Sequence, residues 1–194
     1  AGRGGRWGLP RHHLFYLFYH GDGMLVALTG TPGTGKSTVA EALSALGHAV
    51  LEVNDLAKRH GLLRSKDLAR DSYDLDLDEV QEALEREGFA DGVLVGHLSH
   101  LLDVDMVIVL RCHPDALAMR LEARGWPAAK VRENALAEAL DVILAEAMDP
   151  GVPVLELDTT ELSREGAISA VLSMLAGESE KYAVGNIDWS EEAL

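Results

Sequence analysis

The sequence has a single cysteine, Cys112, among 194 residues, which excludes a disulfide within the chain. This agrees with a reducing, intracellular setting, and we expect a cytoplasmic protein. The apolar run at residues 14–19 is too short for a membrane span, and no small-residue cleavage site follows it. We therefore expect neither a secretion signal nor a membrane contact.

Basic residues are also scarce. The chain carries 17 lysines and arginines against 32 aspartates and glutamates, a formal net charge of −15. Nonspecific binding to nucleic acid is unfavourable at this charge unless a local basic patch exists, and we expect no direct sequence-specific nucleic acid binding. A basic protein partner fits the charge better.

Internal repeats and low-complexity linkers are absent, and a composition of 47% hydrophobic and 25% charged residues suits one globular domain. We assign this domain to residues 24–176, followed by an acidic tail at 177–194 that we expect to be mobile. Residues 1–23 differ from the rest, with three arginines and one acid. We interpret them as a non-native upstream extension; the alternative is an extra β-segment that packs on the domain.

Five apolar runs are typical of buried parallel strands, at residues 25–29, 49–53, 92–95, 105–110 and 152–157. Helical patterns alternate with them, at residues 36–46, 78–87, 114–123, 131–147 and 163–175. Strands that alternate with helices predict a three-layer α/β domain.

A phosphate-binding motif lies between the first strand and the first helix, in the sequence GTPGTGKST. Gly30, Gly35, Lys36 and Ser37 fit G-x-x-x-x-G-K-[ST] at every fixed position. Glycines let the backbone amides turn inward around a polyphosphate, and the helix that follows begins at its positive dipole end. We expect Lys36 to reach the β- and γ-phosphates and the Ser37 hydroxyl to ligate Mg²⁺.

Two polar insertions follow the carboxyl ends of predicted strands, where doubly wound α/β proteins bind ligands. One spans residues 54–79 and the other residues 120–134. Several basic side chains lie in or just before the second insertion: Arg111, Arg120, Arg124, Lys130 and Arg132. Mobile arginines of this kind close over phosphate charge during phosphoryl transfer. The alternative is an ordinary solvated helix end.

Together these segments resemble a known family. The quoted stretches are LTGTPGTGKSTVAEAL, VNDLAKRHGLL, VLVGH, VIVLRC, RLEARGW and KVRENALAEALDVILAEA. They are similar to the adenylate kinase isoenzyme 6 family, especially its archaeal members, which is related to the coilin-interacting nuclear ATPase. The likeness covers about residues 24–176. It implies a P-loop NTPase with an adenylate-kinase-like core, a five-stranded parallel sheet, a segment that binds nucleoside monophosphate (NMP) at about 53–76 and a lid at about 122–132.

The resemblance also implies an activity. Members of the family transfer phosphate from ATP to nucleoside monophosphates with broad acceptor tolerance, so that ATP and AMP give two ADP, and they hydrolyse ATP. They act in late maturation of the small ribosomal subunit and its rRNA through transient binding to a ribosomal protein of the S-eleven family. The alternatives are an ATPase assembly factor with little kinase activity, or another small-molecule P-loop kinase.

Site residues follow from the matched motifs. The resemblance implies ATP contacts at the P-loop and the lid: Gly33, Gly35, Lys36, Ser37, Thr38 and Arg124. It makes Arg124, in the stretch RGW, the lid arginine. The expected cofactors are ATP and Mg²⁺.

One position departs from the family. Many relatives carry an acid after the third strand, where this chain has Val95 in the stretch Val95–Gly96–His97. Such an acid helps to hold Mg²⁺ and its waters, so we predict slow hydrolysis of ATP. Asp55 is the alternative metal ligand and our candidate for NMP binding. His97 is our third catalytic candidate, as a group that orients water or phosphate; a buried histidine bonded to backbone is the equal alternative.

Overall fold

Five parallel strands form the central sheet, in the spatial order Val50–Glu52, Gly92–Val95, Leu25–Thr29, Met106–Arg111 and Val154–Asp158. The computed structural model describes residues 23–63, 66–67, 72–73 and 75–193. The elements follow the chain as β1 (Leu25–Thr29), α1 (Lys36–Ala45), β2 (Val50–Glu52), α2 (Val53–Arg59), β3 (Lys66–Asp67), β4 (Ser72–Tyr73), α3 (Leu77–Glu87), β5 (Gly92–Val95), β6 (Met106–Arg111), α4 (Pro114–Ala123), α5 (Ala128–Ala139), α6 (Val142–Met148), β7 (Val154–Asp158) and α7 (Arg164–Leu175). Short 3₁₀ turns lie at Ser99–Leu101, Glu180–Tyr182 and Ser190–Ala193.

Helices cover both faces of the sheet, which confirms the three-layer α/β prediction. Strand side chains alternate between the faces, so that Ala27 packs against α2, α3 and α6, whereas Leu28 packs against α1 and α7. Because both faces are covered, the strands are mostly apolar, and their charged residues lie at or near their carboxyl ends: Glu52, Arg111, Glu156 and Asp158. All five predicted strands are present, with small differences at their ends.

Two expectations about helices were wrong. The pattern at residues 131–147 predicted one helix, but the structure has α5 and α6, separated by Asp141 with a left-handed φ of 54°. The break turns the Asp141 carboxylate onto Arg111, a buried cation that the periodicity does not reveal. The insertion at 54–79 also contains the unpredicted helix α2 and the antiparallel hairpin β3–β4.

The acidic tail was expected to be mobile, and this was wrong for much of its length. Ala183 bridges to Leu155 of β7, and Tyr182 is buried in the core beside α7. The Glu156 carboxylate accepts hydrogen bonds from the amides of Gly185 and Asn186, at 2.9 and 3.1 Å. The tail therefore adds to the edge of the sheet next to β7.

The upstream extension predicted at residues 1–23 lies, apart from Gly23, outside the described residues, as do parts of the predicted NMP-binding segment. No helix in the described part of the chain is long and apolar enough to cross a membrane.

Candidate active site

The P-loop joins β1 to α1 and depends on glycine geometry. A side chain at Gly30, where φ is 137°, would place its Cβ 2.3 Å from the carbonyl oxygen of Leu110 on the neighbouring strand. Gly35 has a φ of 103° and caps the start of α1 in a left-handed conformation. The backbone thus turns tightly around a concave space in front of the helix N-terminus, which favours anionic oxygens.

Lys36 closes the loop from inside. Its Nζ donates hydrogen bonds to the carbonyl oxygens of Gly30, at 2.6 Å, and Thr31, at 3.0 Å. Burial lowers the pKa of Lys36 to about 8; the carboxylates of Glu138 and Glu52 oppose this shift, and Arg124 adds to it. The ammonium is therefore held where polyphosphate oxygens would replace the two carbonyls as its partners.

Ser37 and Thr38 occupy the first turn of α1, directly after the lysine. The Ser37 side chain is exposed and that of Thr38 is partly exposed, so both hydroxyls are accessible. The hydroxyl oxygens of these two residues suit Mg²⁺, because this ion takes oxygen ligands, keeps several waters and binds phosphates. Ser37 would hold the ion, which would neutralise phosphate charge there.

His97 lies at the carboxyl end of β5, close to the P-loop. Burial lowers the pKa of His97, and the positive charges of Lys36 and His100 lower it further. The backbone carbonyl of His97 lies 3.4 Å from the Thr29 hydroxyl. A neutral imidazole beside Lys36 can orient a phosphate or water. The position of His97 is therefore compatible with a catalytic role, which stays a prediction.

His100 has a different role. It is fully buried, and its Nδ1 lies 2.9 Å from the Thr29 hydroxyl while its Nε2 lies 3.1 Å from the Glu146 carboxylate on α6. These bonds connect the end of β1 to α6 across the sheet edge. No group of histidine, cysteine or acidic residues among the described residues is arranged to hold a metal ion.

Two acids lie at the end of β2. Asp55 is exposed on the first turn of α2, and its roles as a metal ligand and in NMP binding stay predictions. Glu52, the last residue of β2, was missed in the sequence. Burial raises the pKa of Glu52, Asp55 raises it further, and Lys36 lowers it. Only the strand register draws attention to Glu52, which pairs directly with Val95, where the family resemblance led us to expect an acid.

The predicted lid, at about residues 122–132, contains the end of α4, the turn that follows and the start of α5. Arg124 ends α4 with an exposed side chain, and its charge reaches Lys36. Arg132 is also exposed, whereas Lys130 pairs with Glu133 at 3.2 Å. Of the basic residues predicted to face phosphate, Arg124 is therefore the best placed.

Two of the five basic residues in that prediction are structural instead, which corrects it. Arg120 donates to the carbonyl oxygens of Thr159, at 2.7 Å, and Thr160, at 2.9 Å, and so anchors the loop after β7. Arg111 is 1% exposed and faces the interior. Both arginines are used to hold the site together.

Arg111 is the centre of a buried ionic cluster beneath the P-loop. Its guanidinium donates to Glu138 at 2.7 Å, to Glu156 at 3.2 Å and to Asp141. Although burial opposes it, the charges and hydrogen bonds of Glu138 and Asp141 raise the pKa of Arg111, which keeps it charged. Trp189 of the tail covers the guanidinium at 4.9 Å.

Glu138 connects this cluster to the P-loop. One carboxylate oxygen accepts the Thr31 hydroxyl, and the other accepts Arg111 and the Cys112 amide. On the other side of the loop, the Thr159 hydroxyl lies 3.0 Å from the carbonyl oxygen of Thr34. The phosphate loop is therefore fixed by α5 and by the β7–α7 connection.

The fold and site define a class, a P-loop domain of the kinase type. Shikimate kinase from Bacteroides thetaiotaomicron has a similar structure, with a TM-score of 0.53, 15% identity, and coverage of 79% of this chain and 98% of that one. At this identity the likeness concerns the fold.

Sequence comparisons identify the family. A model described as an AAA domain matches residues 26–141. A protein named "Putative adenylate kinase" from Archaeoglobus fulgidus is 46% identical over 172 residues, covering 87% of this chain and 93% of its own length. Its namesake from Natronomonas pharaonis is 47% identical over 171 residues, covering 87% and 99%. The chain belongs to the archaeal adenylate-kinase-like family.

Proposed function

We propose that this protein is a nucleoside monophosphate kinase with broad acceptor tolerance, for which AMP is the first acceptor to test. It transfers the γ-phosphoryl group of ATP to an α-phosphate oxygen of the acceptor, giving two ADP from ATP and AMP. One observation supports this most directly: Glu52 at the end of β2 and Arg124 of the predicted lid both shift the pKa of Lys36, and Lys36 lowers the pKa of His97, so all three side chains lie within electrostatic reach of Lys36. The P-loop, the predicted lid and the carboxyl ends of β2 and β5 therefore lie around Lys36.

Each group has a chemical task in the transfer. Lys36 exchanges its two carbonyl partners for β- and γ-phosphate oxygens and stabilises charge on them as the bond to the β-phosphate breaks. Arg124 offers a planar fork to the transferred phosphoryl group, and lid closure excludes water. His97 orients the acceptor phosphate. Ser37 would hold Mg²⁺, which would neutralise further phosphate charge.

Hydrolysis of ATP without an acceptor is expected to be slower than transfer. Hydrolysis needs a well-oriented water, whereas the acceptor supplies a nucleophile that the protein positions by binding. Since β5 ends in Val95, that strand offers no acid to order water.

A coupled assay tests the proposal, with ATP alone and with AMP, CMP, UMP and GMP in turn. We expect AMP to accelerate ADP formation well above the ATP-only rate. Lys36→Ala should lower transfer by about 10²-fold or more, by analogy with the loss of one electrostatic stabiliser. Lys181→Ala, which removes an exposed lysine paired with Glu178 in the tail, is the matched control and should leave turnover within twofold. Equal rates with and without every acceptor would reject the kinase.

A second role is favoured by the charge. A net charge of −15 suits a basic partner, and the family resemblance suggests a ribosomal protein of the S-eleven family on the precursor of the small ribosomal subunit. In this role, ATP binding and hydrolysis time the release of the partner. Calorimetry with the purified ribosomal protein at low and moderate salt tests it: binding should weaken as salt rises, and no complex at low salt would remove the assembly role.

A further inference from the structure

In P-loop NTPases an aspartate outside the loop helps to hold Mg²⁺ at the phosphates. In this chain β5, which pairs with β1, ends in a valine. Val95 ends β5, is 1% exposed, and packs in the core cluster beneath α1 and α7. An aliphatic side chain cannot bind a cation or its waters. If the nucleotide binds together with Mg²⁺, an acid that orders the ion's water shell has to come from elsewhere.

The register of β2 brings a carboxylate to the same level. β2 and β5 are parallel, and their paired residues are Val50 with Val93 and Glu52 with Val95. Val50 and Val93 both pack in the cluster beneath α1. Because side chains two residues apart on a strand share a face, Glu52 and Val95 leave the sheet on that same side, the side of α1 and its first residues, Lys36 and Ser37.

The Glu52 carboxylate has no hydrogen bond or ion pair with any residue that the structure describes. It is half-buried, beside the second acid Asp55, and its charge reaches Lys36. A carboxylate in this position is unfavourable without a counter-charge, since burial penalises it and Asp55 repels it. The positive charge of Lys36 offsets only part of this cost, since the pKa of Glu52 is still raised by burial and by Asp55, and a divalent cation at the phosphates would stabilise the carboxylate further.

We propose that Glu52 is the acidic residue that holds Mg²⁺ at the nucleotide phosphates, through the ion's bound waters, in place of an acid at position 95. The inference rests on the proposed function, because it requires a metal–nucleotide complex at the P-loop. Contact through water is the fitting mode, because β2 lies one strand beyond β5, about 5 Å further from the loop. Mg²⁺ commonly retains several waters in nucleotide sites.

The role makes two opposite predictions for Glu52→Gln. Without metal, removing a negative charge near the phosphates should leave affinity for a nucleotide unchanged or strengthen it. With Mg²⁺, loss of a contact to the ion's water shell should reduce the gain in affinity that the metal provides by about tenfold. A merely structural glutamate would weaken binding in both conditions, so the two arms separate the explanations.

The experiment is calorimetric titration of the full chain with the non-hydrolysable β,γ-imido analogue of ATP, in EDTA and in saturating Mg²⁺. Parent, Glu52→Gln, Asp55→Asn and Glu41→Gln are compared. Glu41 is an exposed acid on α1, 3.7 Å from Arg164, and serves as the control. Mn²⁺ binding to each protein–analogue complex, followed by electron paramagnetic resonance, gives a second readout. Here too Glu52→Gln should weaken Mn²⁺ by about tenfold and Glu41→Gln should not.

The outcomes separate cleanly. If Mg²⁺ strengthens binding to the parent but equally to Glu52→Gln, the inference is overturned and the proposed function stands. If only Asp55→Asn loses the metal effect, Asp55 is the acid and Glu52 is not. If the parent binds the analogue no better with Mg²⁺ than without it, the inference fails and the proposed function stands; if the parent binds the analogue in neither condition, both fail.

Discussion

Raising the pH from 7 to 9 should weaken nucleotide binding by about tenfold, because Lys36 loses its proton in the free protein. The pKa of Lys36 is lowered to about 8 by burial. Its two hydrogen bonds, to the carbonyl oxygens of Gly30 and Thr31, require only the two N–H groups that a neutral amine retains. Phosphate oxygens, in contrast, favour the charged form.

The magnitude follows from the proton equilibrium. With a pKa of about 8, about nine tenths of the free protein carries the proton at pH 7 and about one tenth at pH 9. Apparent affinity falls in the same ratio if only the charged form binds well. The effect of pH on folding is the opposite. Between pH 8 and 10.5 Lys36 is protonated in the unfolded state but largely neutral in the folded state, so its contribution makes the free energy of unfolding rise with pH.

Calorimetry with ADP in Mg²⁺ measures both the affinity and the proton uptake, in buffers of different ionisation enthalpy. At pH 8 we expect about half a proton taken up for each nucleotide bound. Phosphate groups are already ionised in this range, so they do not contribute. Lys36→Met should bind weakly but with an affinity that does not change with pH, and Lys181→Met, at an exposed lysine of the tail, should behave as the parent does. An affinity for the parent that stays within twofold from pH 7 to 9 would refute the reasoning.

Three further predictions concern the lid, the buried cluster and the tail. Arg124→Lys and Arg124→Ala should each lower kcat/KM by tenfold or more, since lysine lacks the planar fork; smaller losses in steady-state assays would make Arg124 a surface charge. Glu138→Ala should lower the free energy of unfolding by about 3–5 kcal/mol in urea, because it leaves Arg111 short of a partner, whereas Glu138→Gln should lose less than half of that. Trp189→Ala should cost about 0.5–2 kcal/mol in the same assay through the lost contact with Arg111, and an unchanged midpoint would contradict that packing.

Local patterns predicted what local residues determine. The central strands could be recognised because a strand covered on both faces is mostly apolar, and the P-loop because its glycines and Lys36 have fixed spacing. The Arg111 cluster could not, since its partners Glu138 and Glu156 lie 27 and 45 residues away and only the fold unites them. The same cluster breaks the predicted helix at Asp141. Glu52 was missed because its significance depends on the strand beside it.

The contacts that residues 185–189 of the tail make with Glu156 and Arg111 determine when the native structure can be completed during synthesis. Domains fold as the chain emerges, beginning at the N-terminus, so β1 and the P-loop are available long before residues 185–189. Until those residues arrive, Glu156 lacks two amide donors and Arg111 lacks its aromatic cover. The contacts that stabilise the cluster beneath the phosphate loop therefore form only after residues 185–189 have emerged. Until then, the nascent chain does not have the complete native structure of the free protein.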